Sequence, residues 1–207
     1  MSIKGPKEKK ERALGVNLGL KAYRSQSPKS GVVRRPYRPG AHGQSRRRKQ
    51  LSDFGRQIQE KKKFKLTYGV DEKNLKQLFA TASKFAGSVS GKLMELLERR
   101  LDNALYRSGL APSRGVARQL VLHGHITVNK KRVRSPGFQV SIDDVIAVYP
   151  SSQTTGAFKE VKEALKKQQV PEWLTVDPES VQVKVVHLPQ DVEPLFEINL
   201  LVESFSK

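Results

Sequence analysis

LERRLDNALYRSGLAPSRGVARQLVLHGHITVNKKRV, residues 97–133, carries two apolar periods in succession. Leu97, Leu101, Ala104 and Leu105 recur at three- and four-residue spacing, which marks one face of a helix. Continued backward, the stripe takes in Leu93 and Met94. One unbroken helix is therefore predicted from just after Ser90 to Gly109, a residue suited to the position past a helix end. Ser113 is a good cap for a second, shorter helix built on Val116, Ala117, Leu120 and Val121 and stopped by Gly124. The period then drops to two. Ile126 and Val128 alternate with His125, Thr127 and Asn129, Asn129-Lys130-Lys131 reads as a turn, and Val133 begins the return strand. Strand-like runs follow at 137–141, at 145–149 around a turn at Asp143-Asp144, at 173–176 and at 181–188. Helices followed by short paired strands predict an α+β fold.

The polar residues on these elements are cationic. At 100° per residue, Arg99, Asn103 and Arg107 fall opposite the apolar stripe of the first helix, at i, i+4 and i+8. Arg100 adjoins Arg99, and Arg114 and Arg118 repeat the spacing on the next helix beside Ser113 and Gln119. The hairpin turn adds Lys130, Lys131, Arg132 and Arg134. Guanidinium forks match phosphate oxygens, and amides such as Asn103 and Gln119 reach sugar or base edges. Lying off the apolar faces, Arg99, Asn103, Arg107 and Arg118 are predicted to be removable without loss of the fold. His123 and His125 flank Gly124 at a helix-to-strand junction, where an RNA-facing or solvent role outweighs a metal pair. Asp143-Asp144 reads as a turn, since adjacent side chains there point apart.

Upstream, Ser52 and Asp53 start a helix with Leu51, Phe54 and Ile58 on one side and Lys61-Lys62-Lys63 toward its end, where cations suit the helix dipole. Asp71 starts another, with Leu75, Leu78, Phe79, Ala82, Phe85 and Ala86 in one stripe. Residues 1–50 are predicted to be an extended arm, interrupted by Pro28, Gly31, Pro36, Pro39, Gly40 and Gly43. Aromatic and basic residues alternate there through Arg34, Arg35, Tyr37 and Arg38, and Arg46, Arg47, Arg48 and Lys49 follow. Downstream, Phe158, Val161, Ala164 and Leu165 suggest a further amphipathic helix, and 198–207 is an apolar tail able to dock.

Charge is distributed unevenly. The 207 residues carry a formal net charge of +19, of which residues 1–50 hold +13 and residues 151–207 hold −3. A basic arm ahead of moderately basic folded segments is the outline of a nucleic-acid binder. The arm lacks the aromatic-and-leucine face of a membrane-surface helix. The start, MSIKGPKEKKER, is charged throughout, no run approaches a spanning length, and a soluble protein is predicted. With no cysteine, thiolate zinc sites, disulfides, iron–sulfur clusters and a Cys nucleophile are excluded. Neither GxxxxGK[ST] nor GxGxxG occurs. Gly87-Ser88-Val89-Ser90-Gly91 lacks the nucleophile-elbow spacing and reads as a linker.

Residues 97–133 closely resemble the S-four RNA-binding domain. YRPGAHGQSRRRKQLSDFGRQIQEKKKFKLTYGV (37–70), PEWLTVD (171–177), INLLVESFSK (198–207) and Gly5-Pro6-Lys7 together resemble the small-subunit ribosomal protein S-four family, of bacterial or plastid type. The resemblance implies a helical domain at 46–96 completed by 178–207, an S-four domain at 97–177 with two helices on a small antiparallel sheet, and a basic arm at 1–45. It implies direct binding of 16S rRNA at a multi-helix junction of the 5′ domain, early in assembly. It also implies a place where mRNA enters, an interface with ribosomal protein S-five that affects decoding accuracy, and in some members repression of their own operon. The RNA-binding residues expected are Arg34, Arg35, Tyr37, Arg38, His42, Arg46, Arg47, Arg48, Lys49, Arg56, Lys61, Lys62, Lys63, Arg99, Arg100, Asn103, Arg107, Ser113, Arg114, Arg118, Gln119, His123, His125, Lys130, Lys131 and Arg132. Gln57 and Glu203 belong to segments that meet near the S-five boundary. Many members carry a cysteine zinc knuckle in the arm. This chain does not, so ordering of the arm by RNA or neighbouring proteins is expected, and no cofactor or small-molecule substrate is.

Two other classes fit the sequence less well. Pseudouridine synthases and tyrosyl-tRNA synthetases append the same domain to large catalytic domains, for which too little chain remains here. A free RNA chaperone or heat-shock RNA-binding protein explains the charge but not the matches at 37–70 and 198–207.

Overall fold

The computed structural model describes residues 5–21, 24–25, 27–45, 50–152, 165, 170–190 and 196–206. The fold is α+β, and the chain divides into two compact units, residues 1–93 with 193–207 and residues 94–192. The first expectation to change is the domain layout. Residues 178–192 belong to the second unit, and the arm belongs to the first.

In the first unit, α1 (Lys7–Leu14) ends on Gly15 in the left-handed region, and a single helical turn, α2 (Gly31–Arg34), follows. The arm is thus not extended. The side chain of Glu11 is fully buried, and its Oε1 accepts hydrogen bonds from the backbone N–H groups of Leu18 (3.1 Å) and Leu20 (3.2 Å). Arg12 donates to the carbonyls of Arg35 (2.9 Å) and Tyr37 (3.1 Å) and lies over the Tyr37 ring. A charge-assisted hydrogen bond is roughly twice as strong as a neutral one. These two side chains give the arm the internal ties that its low apolar content does not.

α3 (Asp53–Tyr68) and α4 (Glu72–Ala82) start where their caps predict. Ser52 Oγ accepts from Gly55 N–H and Asp71 accepts from Asn74 N–H. The tail forms α8 (Ile198–Ser206), which packs on α3 and α4 through Leu201 and a Phe79–Phe205 stack at 5.1 Å. Phe64 is buried between Tyr68 and Phe196.

α5 (Val89–Glu98) contains the division between the units. The predicted long helix stops there. Arg100 is extended, and α6 (Leu101–Arg107) starts afresh. Backbone pairing decides the break. Leu101 N–H bonds Phe138 O (2.8 Å), Asp102 N–H bonds Pro136 O, and Val140 N–H bonds Arg99 O. Residues 137–141, predicted as a strand, form only a single bridge between Arg100 and Gln139. Tertiary hydrogen bonds thus override a continuous apolar period.

α7 (Arg114–Leu122) packs on α6. The strands β1 (Ile126–Val128), β2 (Lys131–Arg132), β3 (Val145–Val148), β4 (Leu174–Asp177) and β5 (Gln182–Val185) form one antiparallel sheet in the order β2-β1-β3-β5-β4. Leu101, Leu105, Ala117 and Val121 bury against Ile126, Ile146, Val183 and Trp173 in a common core. The β1–β2 loop is two residues, with Asn129 at φ 49° and Lys130 at φ 66°, the turn geometry whose twist matches a hairpin. Phe158, Val161 and Ala164 lie outside the described residues, while Leu165 is in the core.

Candidate nucleic-acid interface

Breaking α5 from α6 shifts the helical phase, and the predicted arginine row does not face solvent as a row. Glu98, 1% exposed, accepts Arg107 in a fork (2.9 and 3.0 Å) and the Asn103 amide (2.8 Å). Asn103 is itself buried, and its carbonyl oxygen accepts Arg114 Nε at 2.7 Å. Asp102 accepts Arg100 in a second fork (3.2 and 3.0 Å) with Arg118 at 3.6 Å, and both Asp102 and Arg100 are buried. Arg99 is held by Glu95 and the Val140 carbonyl. The expectation that Arg99, Asn103, Arg107 and Arg118 can be removed harmlessly is therefore corrected. Arg107 and the Asn103 amide satisfy buried Glu98, Arg118 assists Arg100 at buried Asp102, and Arg99 bonds Glu95, so losing all four would strand Glu98 and leave Asp102 to Arg100 alone.

The hairpin and its surroundings form a different surface. Lys130, Lys131, Arg132 and Arg134 are exposed, as are His123 and Gln119. Arg132 lies over the Tyr149 ring at 4.5 Å and donates to the Gly124 carbonyl. The His123 and His125 rings stack at 6.0 Å, and His125 Nδ1 is 2.9 Å from Ser152 Oγ. Ser113 is buried as the cap of α7, a structural duty. Asn129 is tied to the neighbouring turn by Asp144 and Val145 N–H, and Asp144 also accepts Ser141 N–H. Arginine on an aromatic face keeps its charge and some of its donors available to phosphate.

Gly124 positions this cluster. Its φ is +74°, and a Cβ there would lie 2.8 Å from Arg132 Nε and 3.1 Å from Arg134 Nε. Gly124→Ala is expected to cost about 1–2 kcal/mol from the left-handed backbone alone. Chemical denaturation followed by Trp173 fluorescence measures it, and an unchanged midpoint would show that the loop relaxes freely.

In the first unit, Arg34, Arg35, Arg38 and His42 are exposed and Tyr37 is half-buried under Arg12. Arg46, Arg47, Arg48 and Lys49 lie outside the described residues. Along α3, Arg56 and Lys62 are exposed. Lys61 is paired with Glu72 and lies over the Phe205 ring, and Lys63 is paired with Glu60. Partial burial pushes the Glu72 carboxyl up, but hydrogen bonds and charge from Lys61 and Lys65 outweigh it and hold the group below its ordinary value. Gln57, 4% exposed, donates from Nε2 to Glu203 Oε2 at 3.0 Å. The two segments meet inside this unit, and the Glu203 side chain already has a partner in its own chain.

Sequence reasoning missed Glu98, Asp102 and Tyr149. The first two pair across a break that no helical register reveals. Tyr149 did carry a signal, an aromatic at the end of a strand facing a basic hairpin.

Two protein families match adjoining parts of the chain: "Ribosomal protein S4/S9 N-terminal domain" over residues 2–98 and "S4 domain" over residues 99–146. Among curated relatives, the small ribosomal subunit protein uS4 of Roseiflexus castenholzii is 42% identical, covering 98% of each chain. The uS4A protein of Alkaliphilus oremlandii is 46% identical over 95% of this chain and 94% of its own. The small ribosomal subunit protein uS4 of Gloeobacter violaceus is 43% identical over 98% of each chain. With both domains matched in order and identity above two-fifths along nearly the whole length, the chain belongs to the small ribosomal subunit protein uS4 family, whose members are structural and not enzymes.

Proposed function

We propose that the protein is a structural constituent of the small ribosomal subunit that binds 16S rRNA directly at a multi-helix junction of the 5′ domain, organising that RNA early in assembly. The observation that carries this is the division of cations in the second unit. Arg100 and Arg107 neutralise buried carboxylates, whereas Lys130, Lys131 and Arg132 are exposed, with Arg132 over the Tyr149 ring. Charge left over on one rigid hairpin is suited to phosphate, and stacked rings beside it are suited to unpaired bases. The same surface would serve repression of the protein's own message. The test is binding to a 16S 5′-domain transcript together with co-sedimentation on small subunits in moderate salt. A free RNA chaperone would bind unrelated RNAs equally well and stay in the supernatant, which would overturn the reading.

A role in decoding accuracy rests on the Gln57–Glu203 bond, proposed to lie near the boundary with ribosomal protein S-five on the side where mRNA enters. The bond ties α3 to the exposed face of α8. Glu203→Lys removes the acceptor and sets a cation beside the Gln57 amide. A partly buried hydrogen bond of this kind contributes about 1 kcal/mol net. Populations of two-state closures respond exponentially to such terms, so a several-fold change in error rate is expected. Cells whose ribosomes carry only Glu203→Lys should misread near-cognate codons more often in a missense reporter, with rRNA binding retained. An unchanged error frequency, with the variant confirmed in ribosomes, would remove Glu203 from the accuracy interface.

A further inference from the structure

The sheet of the second unit ends at β4, whose outer edge has no strand against it among the described residues. Along an antiparallel ladder, hydrogen-bonded and non-bonded pairs alternate. Val186 N–H bonds the Trp173 carbonyl (3.0 Å), so the alternation also turns the backbone of Thr175 and Asp177 toward β5. Val185, opposite Leu174, faces the other way, its N–H bonding the Asp144 carbonyl. The backbone groups of Leu174 and Val176 therefore point out of the sheet. Leu174 N–H is taken by the Pro171 carbonyl (3.0 Å). The Leu174 carbonyl and both groups of Val176 remain open to an incoming strand.

The two edges of this sheet differ in sign. β2, at the far edge, is Lys131–Arg132, which repels a basic strand. Around β4, Glu172, Asp177 and Glu179 are exposed and enter no ion pair among the described residues. The one cation on β4 or β5, Lys184, is paired with Asp143 at 2.9 Å. Residues 171–190 hold three carboxylates and one lysine, a net −2 within a chain of +19. Hydrogen bonds from Ser180 and from Glu179 N–H hold the Asp177 carboxyl below its ordinary value, so it stays ionised. Lysine and proline are common guards of an open edge, and β4 has neither. Nucleic acid is the wrong partner here, because its phosphates would meet carboxylates. A second copy is disfavoured too, since pairing β4 with β4 brings like charges together across the strands.

We propose that the outer edge of β4 accepts an extended, basic segment of another protein as an added strand. Successive side chains of such a segment fall on opposite faces. On the face of Thr175 and Asp177 it carries Lys or Arg. On the other face it sets apolar side chains against Val176, which is half-buried on the core. Main-chain hydrogen bonds supply affinity, and the alternation of cationic and apolar side chains selects the partner. This inference does not rest on the rRNA reading, whose hairpin lies at the opposite edge of the sheet.

The test uses full-length protein and a fluorescein-labelled peptide, Lys-Val-Lys-Val-Lys-Val, followed by fluorescence anisotropy at low salt. Lys-Lys-Lys-Val-Val-Val keeps the charge without the alternation, and Glu-Val-Glu-Val-Glu-Val keeps the alternation with the opposite charge. The alternating basic peptide is expected to bind one per chain, and the other two about tenfold more weakly or not at all. Amide hydrogen exchange locates the contact. The Val176 amide, open in the free protein, is expected to exchange about tenfold more slowly with saturating peptide. Asp177→Asn with Glu179→Gln should weaken binding about fivefold. Asp53→Asn with Glu197→Gln, exposed acids of the first unit, is the control for lost charge and should bind as wild type does. Val176→Pro deletes the outward N–H, spares the ladder to β5 and should abolish binding. If that variant unfolds by Trp173 fluorescence, exchange in wild type decides alone. Absence of binding, binding without slowed Val176 exchange, or equal affinity for the rearranged basic peptide would each overturn strand addition. Equal weakening by the edge and control pairs would overturn the acidic edge as the selecting feature. A dimer of the free protein whose Val176 amide is protected would show that a second copy occupies the edge, and would overturn the basic partner.

Discussion

Asp102→Ala is expected to destabilise the second unit by about 3–5 kcal/mol, the usual cost of leaving a buried charge without its partner. Arg100 is the stranded group. Its side chain is 7% exposed and both of its bonds to Asp102 would vanish, leaving a buried guanidinium with no other acceptor among the described residues. Domains are stable by only about 5–15 kcal/mol, so roughly a fifth or more of the margin would go. Trp173, the single tryptophan, is buried in this unit's core and reports its unfolding separately from the first unit. Its fluorescence midpoint in denaturant should fall sharply for Asp102→Ala. Replacing both partners, with Arg100→Met and Asp102→Leu, should recover much of the loss, because apolar substitutes carry no desolvation cost. A loss below about 1 kcal/mol for Asp102→Ala would mean that Arg100 escapes to water and that the pair is an ordinary surface contact.

RNA affinity is expected to collapse with salt. If about 6–10 phosphates are engaged, the dissociation constant should rise by about 10³–10⁵ between 50 and 200 mM salt, on the scaling established for duplex DNA. The structure refines which side chains set that slope. Lys130→Gln, Lys131→Gln and Arg132→Gln together should reduce it by roughly two to three, since each exposed cation displaces about one counter-ion. Arg107→Gln should leave it nearly unchanged, because that guanidinium is already matched by Glu98 in the free protein. Filter binding of a 16S 5′-domain transcript at several salt concentrations gives all of these slopes. A flat response in wild type, or equal slope changes for Arg107→Gln and the hairpin variant, would defeat this account.

The elements that were legible in the sequence were those specified locally. Ser52, Asp71 and Ser113 cap helices because a short polar side chain followed by an amphipathic period has few other uses. The β1–β2 turn and the inward set Ile126 and Val128 follow from a period of two closed by Asn129. What could not be read was specified at long range. The break at Arg99–Arg100 depends on carbonyls of Pro136 and Phe138, about forty residues downstream. A period count extrapolates straight through it, and that error turned a set of internal neutralisers into a supposed RNA-facing row. The order within the arm escaped for a similar reason. Glu11 looks like one more charge in a charged helix, and only the positions of Leu18 and Leu20 N–H show that it is an internal tether.

The two buried carboxylates also set rules for how this chain can drift or be redesigned. Lys130 and Lys131 are exposed and enter no ion pair among the described residues, so either can be exchanged in a single step, whereas Arg132 is also tied to the Gly124 carbonyl and the Tyr149 ring. Glu98, Asn103, Arg107 and Arg114 answer to one another, as do Asp102, Arg100 and Arg118. A change at one member passes through a destabilised intermediate before a second change can repair it. Under the proposed reading, the hairpin lysines can change freely while the scaffold beneath them is held by mutual constraint, and a library testing that reading would vary residues 130 and 131 and leave both clusters untouched.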